Sequence, residues 1–105
     1  MPGNPGTKAA YTLEVEERAW QALSCLPESA QDKVFALWRD HLSHTPTQRI
    51  PGKLKQLRGD YRDYYQFEIT KSQRMIYSVD EASKTVYVEY IGKHPEWKRR
   101  KGRAF

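Results

Sequence analysis

Apolar and polar residues alternate at period two over Tyr11-Thr-Leu-Glu-Val15, which predicts a short strand with Tyr11, Leu13 and Val15 facing inward. From Glu16 the period lengthens. Ala19, Trp20, Leu23 and Leu26 recur at helical spacing behind Glu16 and Glu17, whose charges suit a helix N-terminus, and Pro27 stops this first helix. Ser29 then stands as the expected N-cap of a second helix that runs to about Ser43. Its apolar stripe is Val34, Leu37, Trp38 and Leu42, with Asp32, Lys33, Arg39 and Asp40 left polar.

Pro46, Pro51 and Gly52 punctuate a connecting loop, and three segments of strand composition follow it. They are Asp63 to Thr70, Arg74 to Asp80 and Lys84 to Ile91, separated by the short polar stretches Lys71 to Gln73 and Glu81 to Ser83, so they form an antiparallel meander. In the first of them Tyr65, Phe67 and Ile69 share one face and Tyr64, Gln66, Glu68 and Thr70 the other. In the second, Met75, Tyr77 and Val79 oppose Arg74, Ile76 and Ser78. The apolar stripes of the helical hairpin need a surface to pack on, and one sheet face supplies it. The order β-α-α-β-β-β therefore predicts an α+β fold, with two N-terminal helices on a small, mainly antiparallel sheet and polar groups on the sheet's far side.

A chain of 105 residues fits one domain. Residues 1–10 are rich in proline and glycine and read as a disordered leader, 11–97 as the folded domain and 98–105 as a basic tail. An apolar share of 38% with thirteen aromatics excludes a wholly disordered chain. No stretch approaches the roughly 18 to 20 consecutive apolar residues of a membrane span, and the N-terminus lacks a signal-peptide core, so a cytoplasmic location is expected. Cys25 stands alone, which excludes an internal disulfide or a cysteine-rich metal site, and its place in the helix pattern predicts inert packing.

The net charge of +5 is concentrated. Lys93 to Phe105 holds six basic residues against one acidic residue, and Lys53 to Arg62 holds four against one. Such clusters attract an anionic polymer such as RNA or an acidic protein partner, or simply keep the chain soluble. Adjacent antiparallel strands are expected to bring at least some of the candidate groups onto a common face: Lys55, Arg58 and Arg62 precede the first meander strand, Arg74 opens the second, and Lys93, His94 and Trp97 follow the last. Cutting an RNA backbone requires stabilisation of a crowded, more negative phosphorus centre, an acceptor for the attacking hydroxyl's proton and a donor for the leaving oxygen. Arginine supplies the first without titrating, and histidine supplies a proton near neutral pH. Tyr64 and Trp97 are candidate platforms for an unstacked base. His41 and His44 lie on or just beyond the polar side of the second helix and read as solvated.

The strings Leu57-Arg58-Gly59, Arg74-Met-Ile-Tyr77-Ser-Val79-Asp80 and Val86-Tyr-Val88 leading to Tyr90-Ile-Gly92-Lys93-His94 resemble, in order and spacing, the RelE/ParE toxin superfamily over Tyr11 to Trp97. The resemblance implies an endoribonuclease that cuts messenger RNA, usually on the ribosome, by attack of the 2′-hydroxyl and without a metal or other cofactor. It also implies an acidic antitoxin as partner, the toxin being a monomer alone and a hetero-oligomer with that antitoxin. By the same resemblance Arg74 contacts the scissile phosphate, His94 acts as general acid and Trp97 stacks on a base. RelE-type members carry two lysines on the polar face where Gln66 and Glu68 stand here, so Glu68 is either the general base or an ordinary exposed strand residue. Lys55, Arg58, Arg62 and Lys93 are expected to bind the backbone. The tail from Lys98 either grips ribosomal RNA or orders against the antitoxin. The alternatives are a ParE-like gyrase inhibitor, an inactive antitoxin- or nucleic-acid-binding homologue, and a plain single-stranded RNA-binding module.

Overall fold

The computed structural model describes residues 10–93. Most of the expected leader, together with His94, Trp97 and the basic run to residue 105, lies outside the described residues. The order of elements is β1 (Thr12–Val15), α1 (Glu17–Ser24), α2 (Glu28–Leu37) with a π-helical turn (Trp38–Leu42), β2 (Leu54–Gln56), a 3-10 turn (Gly59–Tyr61), β3 (Tyr64–Glu68), β4 (Arg74–Asp80) and β5 (Thr85–Gly92). The strands form one sheet in the order β1-β5-β4-β3-β2, parallel between β1 and β5 and antiparallel elsewhere. This is the expected α+β layout with one strand added. β2 lies within the basic run that reads as loop, because three residues are too few to display an alternation.

Local chemistry explains the helix boundaries. Glu16 is the N-cap of α1, its Oε1 accepting from the backbone N–H of Arg18 at 2.9 Å and of Ala19 at 3.2 Å. The helix closes before Pro27, whose ring disfavours helical geometry at Leu26. Ser29 does not cap α2, contrary to expectation. Pro27 occupies the N-cap position at φ −56° with no side-chain cap, and the fixed φ of the ring sets the helix entry two residues earlier. Gln31 instead ties the two helices, its Nε2 donating to the carbonyl oxygens of Ser24 and Leu26 at 3.3 and 2.9 Å.

The core lies between the helices and one sheet face. Ala19, Leu23, Val34, Leu37 and Leu42 join Phe67, Met75 and Tyr77, as the alternation predicts, and Val86 and Ile91 of β5 complete the cluster. Two helical positions differ from expectation. Cys25 is exposed at the end of α1 rather than packed, since Leu23 and Leu26 take the inward side of that turn. Trp20, placed on the inward stripe by its spacing, is 50% exposed, and with Phe35 at 43% it borders a shallow apolar groove that Trp38 also lines. Ala19, its neighbour, takes the buried position. Among the described residues no helix is long and apolar enough to cross a membrane.

Candidate active site

Residues paired across neighbouring strands share a face, so the register assembles the far side of the sheet row by row. One row is Glu68–Arg74–Gly92, across β3, β4 and β5. The next is Lys55–Gln66–Ile76–Tyr90, starting on β2. A third joins Tyr64, Ser78 and Tyr87. Tyr90 reaches this face through an irregularity in β5: Tyr77 pairs with Val88 but Ile76 pairs with Tyr90, so Glu89 is an extra residue and the alternation reverses after it.

Arg74 is held from below. Its Nη1 donates to the carbonyl oxygens of Thr70, Lys71 and Gln73 at 2.8, 3.0 and 3.2 Å, which fixes the guanidinium to the β3–β4 turn. Nε and Nη2 have no hydrogen-bond partner among the described residues, and they leave one edge of the fork for an anion. Glu68 stands directly opposite in the register, its Cβ about 4.5–5.5 Å away by sheet geometry. Among the described residues the two ion pairs are Arg39–Asp40 and Lys84–Glu81, so Glu68 does not neutralise Arg74. The row thus offers a fixed cation and a carboxylate side by side, groups whose chemistry suits a phosphate ligand and a proton acceptor.

Beside this row lies an open groove of about 530 Å³ lined by Arg49, Lys55, Gln56, Leu57, Arg58, Gly59 and Arg62. Gly59, at φ +63°, makes the turn that a side chain would strain, and Gln56 Nε2 donates to the Arg62 carbonyl at 2.7 Å to close it. Its four cations are exposed, and none forms an ion pair with a carboxylate among the described residues. The expected cluster of Lys55, Arg58 and Arg62 is therefore assembled, with Arg49 added from a loop where no periodicity marks it. An adjoining groove, which shares Gln56 and Arg62 with the first, is more acidic: Asp63, Asp80, Glu81 and Glu89 border it, and Tyr11 donates its phenol to Glu81 Oε1 at 2.6 Å. That hydrogen bond is the main reason the Tyr11 pKa lies above its ordinary value.

Other candidates fall differently. Tyr64 is 1% exposed, its ring tilted at 55° against Tyr61 with centroids 6.4 Å apart, so it presents no face to a base. Lys93 is exposed at the end of β5, while His94 and Trp97 lie outside the described residues. His41 donates Nε2–H to the Gln48 carbonyl at 2.6 Å and, like the exposed His44, belongs to the helix end rather than to the sheet face. Among the described residues no group of three or more His, Cys, Asp or Glu side chains could hold a metal ion.

A helical hairpin on one side of a five-stranded sheet with β1 parallel to β5 is the fold of the RelE/ParE toxin superfamily, and the chain has that fold. It is similar to a double mutant of Escherichia coli toxin RelE in the free state, at 28% identity and TM-score 0.63, over 80% of this chain and 83% of that one. The YoeB/ParE toxin from Agrobacterium tumefaciens is 23% identical at TM-score 0.68, over 79% and 98%. The toxin-antitoxin complex RelBE2 from Mycobacterium tuberculosis contains a chain 21% identical at TM-score 0.62, over 81% and 99%. No family model matches the sequence, and no curated protein matches it either.

Proposed function

We propose that this chain is the toxin of a toxin-antitoxin pair and an endoribonuclease that cuts messenger RNA on the ribosome in the cytoplasm, stopping translation. The observation that carries the reading is the Glu68–Arg74 row, a fixed guanidinium with an open edge beside an unpaired carboxylate, next to a groove of four cations on a RelE-like fold. In the reaction Arg74 binds the scissile phosphate and stabilises its added charge. Glu68 takes the proton of the attacking 2′-hydroxyl. His94, two residues along the chain from Gly92, protonates the leaving 5′-oxygen, so a cyclic phosphate forms on one product and a hydroxyl on the other. Lys55, Arg58, Arg62 and Lys93 hold the flanking backbone, with Trp97 as a stacking residue.

The antitoxin belongs to the same reading. Similar toxins are known in complex with partners, RelE with a RelB peptide in Escherichia coli and YoeB with YefM in Staphylococcus aureus. A basic chain of net charge +5 suits an acidic antitoxin. The deciding experiment is in vitro translation with the purified chain, mapping messenger 5′ ends by primer extension with and without ribosomes. Cuts confined to translated messages and lost in His94→Ala are the expected result. Cuts on free RNA would remove the ribosome from the reading, and intact RNA at high protein concentration would sink the nuclease in favour of a gyrase inhibitor or an inactive binder.

A further inference from the structure

We propose that Tyr90 is the platform for the nucleobase beside the phosphate held by Arg74, a role that rests on the RNA-directed reading of this face. Tyr90 occupies the outer face only because Glu89 is an extra residue in β5; without it, the spacing from Val86 and Val88 would turn the ring into the core. Bulges of this kind re-aim single side chains. The ring is then laid toward the Arg74 row. A Cβ built on Gly92 would collide with the Tyr90 phenol oxygen and stand 2.7 Å from Cζ and 3.2 Å from Cε2. Gly92 is the register partner of Arg74, so glycine there makes the space in which the ring lies over the strand position opposite Arg74.

The ring is also held in orientation. Its hydroxyl donates to the Lys93 carbonyl at 3.0 Å, so little rotational freedom remains to be lost on binding. The Tyr90 row and the Arg74 row are two residues apart on β4, about 6.6–6.8 Å along the strand. That separation lets a nucleotide whose phosphate sits on Arg74 rest its base on Tyr90. Single-stranded RNA fits this chemistry because every base offers a flat face, whereas a base in a duplex does not.

The test uses the full chain and a labelled single-stranded RNA carrying 2′-deoxyribose at the cut position, so that binding is read by anisotropy without cleavage. Tyr90→Leu should weaken binding about 5- to 150-fold, the range of one base–aromatic stack. Tyr90→Phe should retain most of the affinity, and Gly92→Ala should behave as Tyr90→Leu with urea unfolding confirming an intact fold. An abasic nucleotide is then moved along the RNA: at one position beside the cut, the difference between wild type and Tyr90→Leu should vanish, because no base remains to stack. A Tyr90→Leu penalty that persists at every abasic position marks a purely structural role and overturns the platform, as does unchanged binding. RNA bound in the expected Tyr90-dependent way but never cut in the translation assay would remove the nuclease and leave the platform standing. A wild-type chain without affinity for the free RNA overturns the platform, while the translation assay decides the nuclease separately.

Discussion

The two faces of β4 are made from the same seven residues and teach opposite lessons. On the inner face Met75 and Tyr77 are fully enclosed by the helices, and Tyr77 donates its hydroxyl to the Pro46 carbonyl at 2.6 Å while its ring stacks on Tyr65 at 5.4 Å and 15°. Every polar group of Tyr77 is satisfied, as a stable interior requires. On the outer face Arg74 and its neighbour Glu68 are each left with unused capacity, the guanidinium edge on one and the carboxylate on the other. An open guanidinium edge beside a carboxylate leaves this face room for a ligand, in keeping with the role proposed above. The same strand thus separates the residues that hold the molecule together from those proposed to act.

That separation is sharpest under large perturbations. Tyr77→Ala should cost about 3–5 kcal/mol in urea unfolding, the usual range for removing a large buried aromatic side chain, with cleavage per folded molecule retained. Loss of cleavage without loss of stability would invert the comparison. On the outer face, Arg74→Ala should lower the cleavage rate about 10²- to 10³-fold, as removal of a fixed transition-state ligand does, with a small change in stability. Glu68→Gln should cost on the order of 10²-fold in rate. Single-turnover kinetics on ribosome-bound message checks both. A Glu68→Gln enzyme with the wild-type rate would make Glu68 an ordinary strand residue.

The inner face was readable from the chain because burial imposes period two on β3 and β4 and period 3.6 on the helices, and nothing competes with either. The Glu68–Arg74 pair was readable for the same reason: with Phe67 and Met75 inward, the residues beside them must point out, and a short loop brings them opposite one another. Tyr90 was not, because one inserted residue, Glu89, reverses the alternation and no sequence pattern marks it. Arg49 was missed because its position depends on how a loop folds back on β2. Trp20 was misplaced by spacing alone; Ala19, one residue earlier, fits under the sheet-facing side where an indole would not. Tyr64 points outward as the alternation predicts, yet packing against Tyr61 removes it from use, which no parity rule reveals.

The smallest effect tests the inner face through its ionisation. Burial pushes the Tyr77 phenol well above its ordinary value of 10.0. The folded state therefore keeps this proton where the unfolded chain has lost it. Stability from the neutral phenol is complete below about pH 10 and falls as pH rises beyond it, by roughly 1.4 kcal/mol per pH unit while only the unfolded form ionises. Tyr77→Phe removes that titration along with the hydrogen bond to Pro46. Near pH 8 the variant should be less stable by about 1–3 kcal/mol, because the buried carbonyl loses its donor. Above pH 10 the wild type declines faster and the gap should close. Burial raises Tyr65 too, but Tyr65 is present in both proteins, so the difference between them isolates Tyr77. Parallel stability curves across that range would mean that the Tyr77 phenol ionises as easily folded as unfolded, and the inner face would then be wetter than its packing implies.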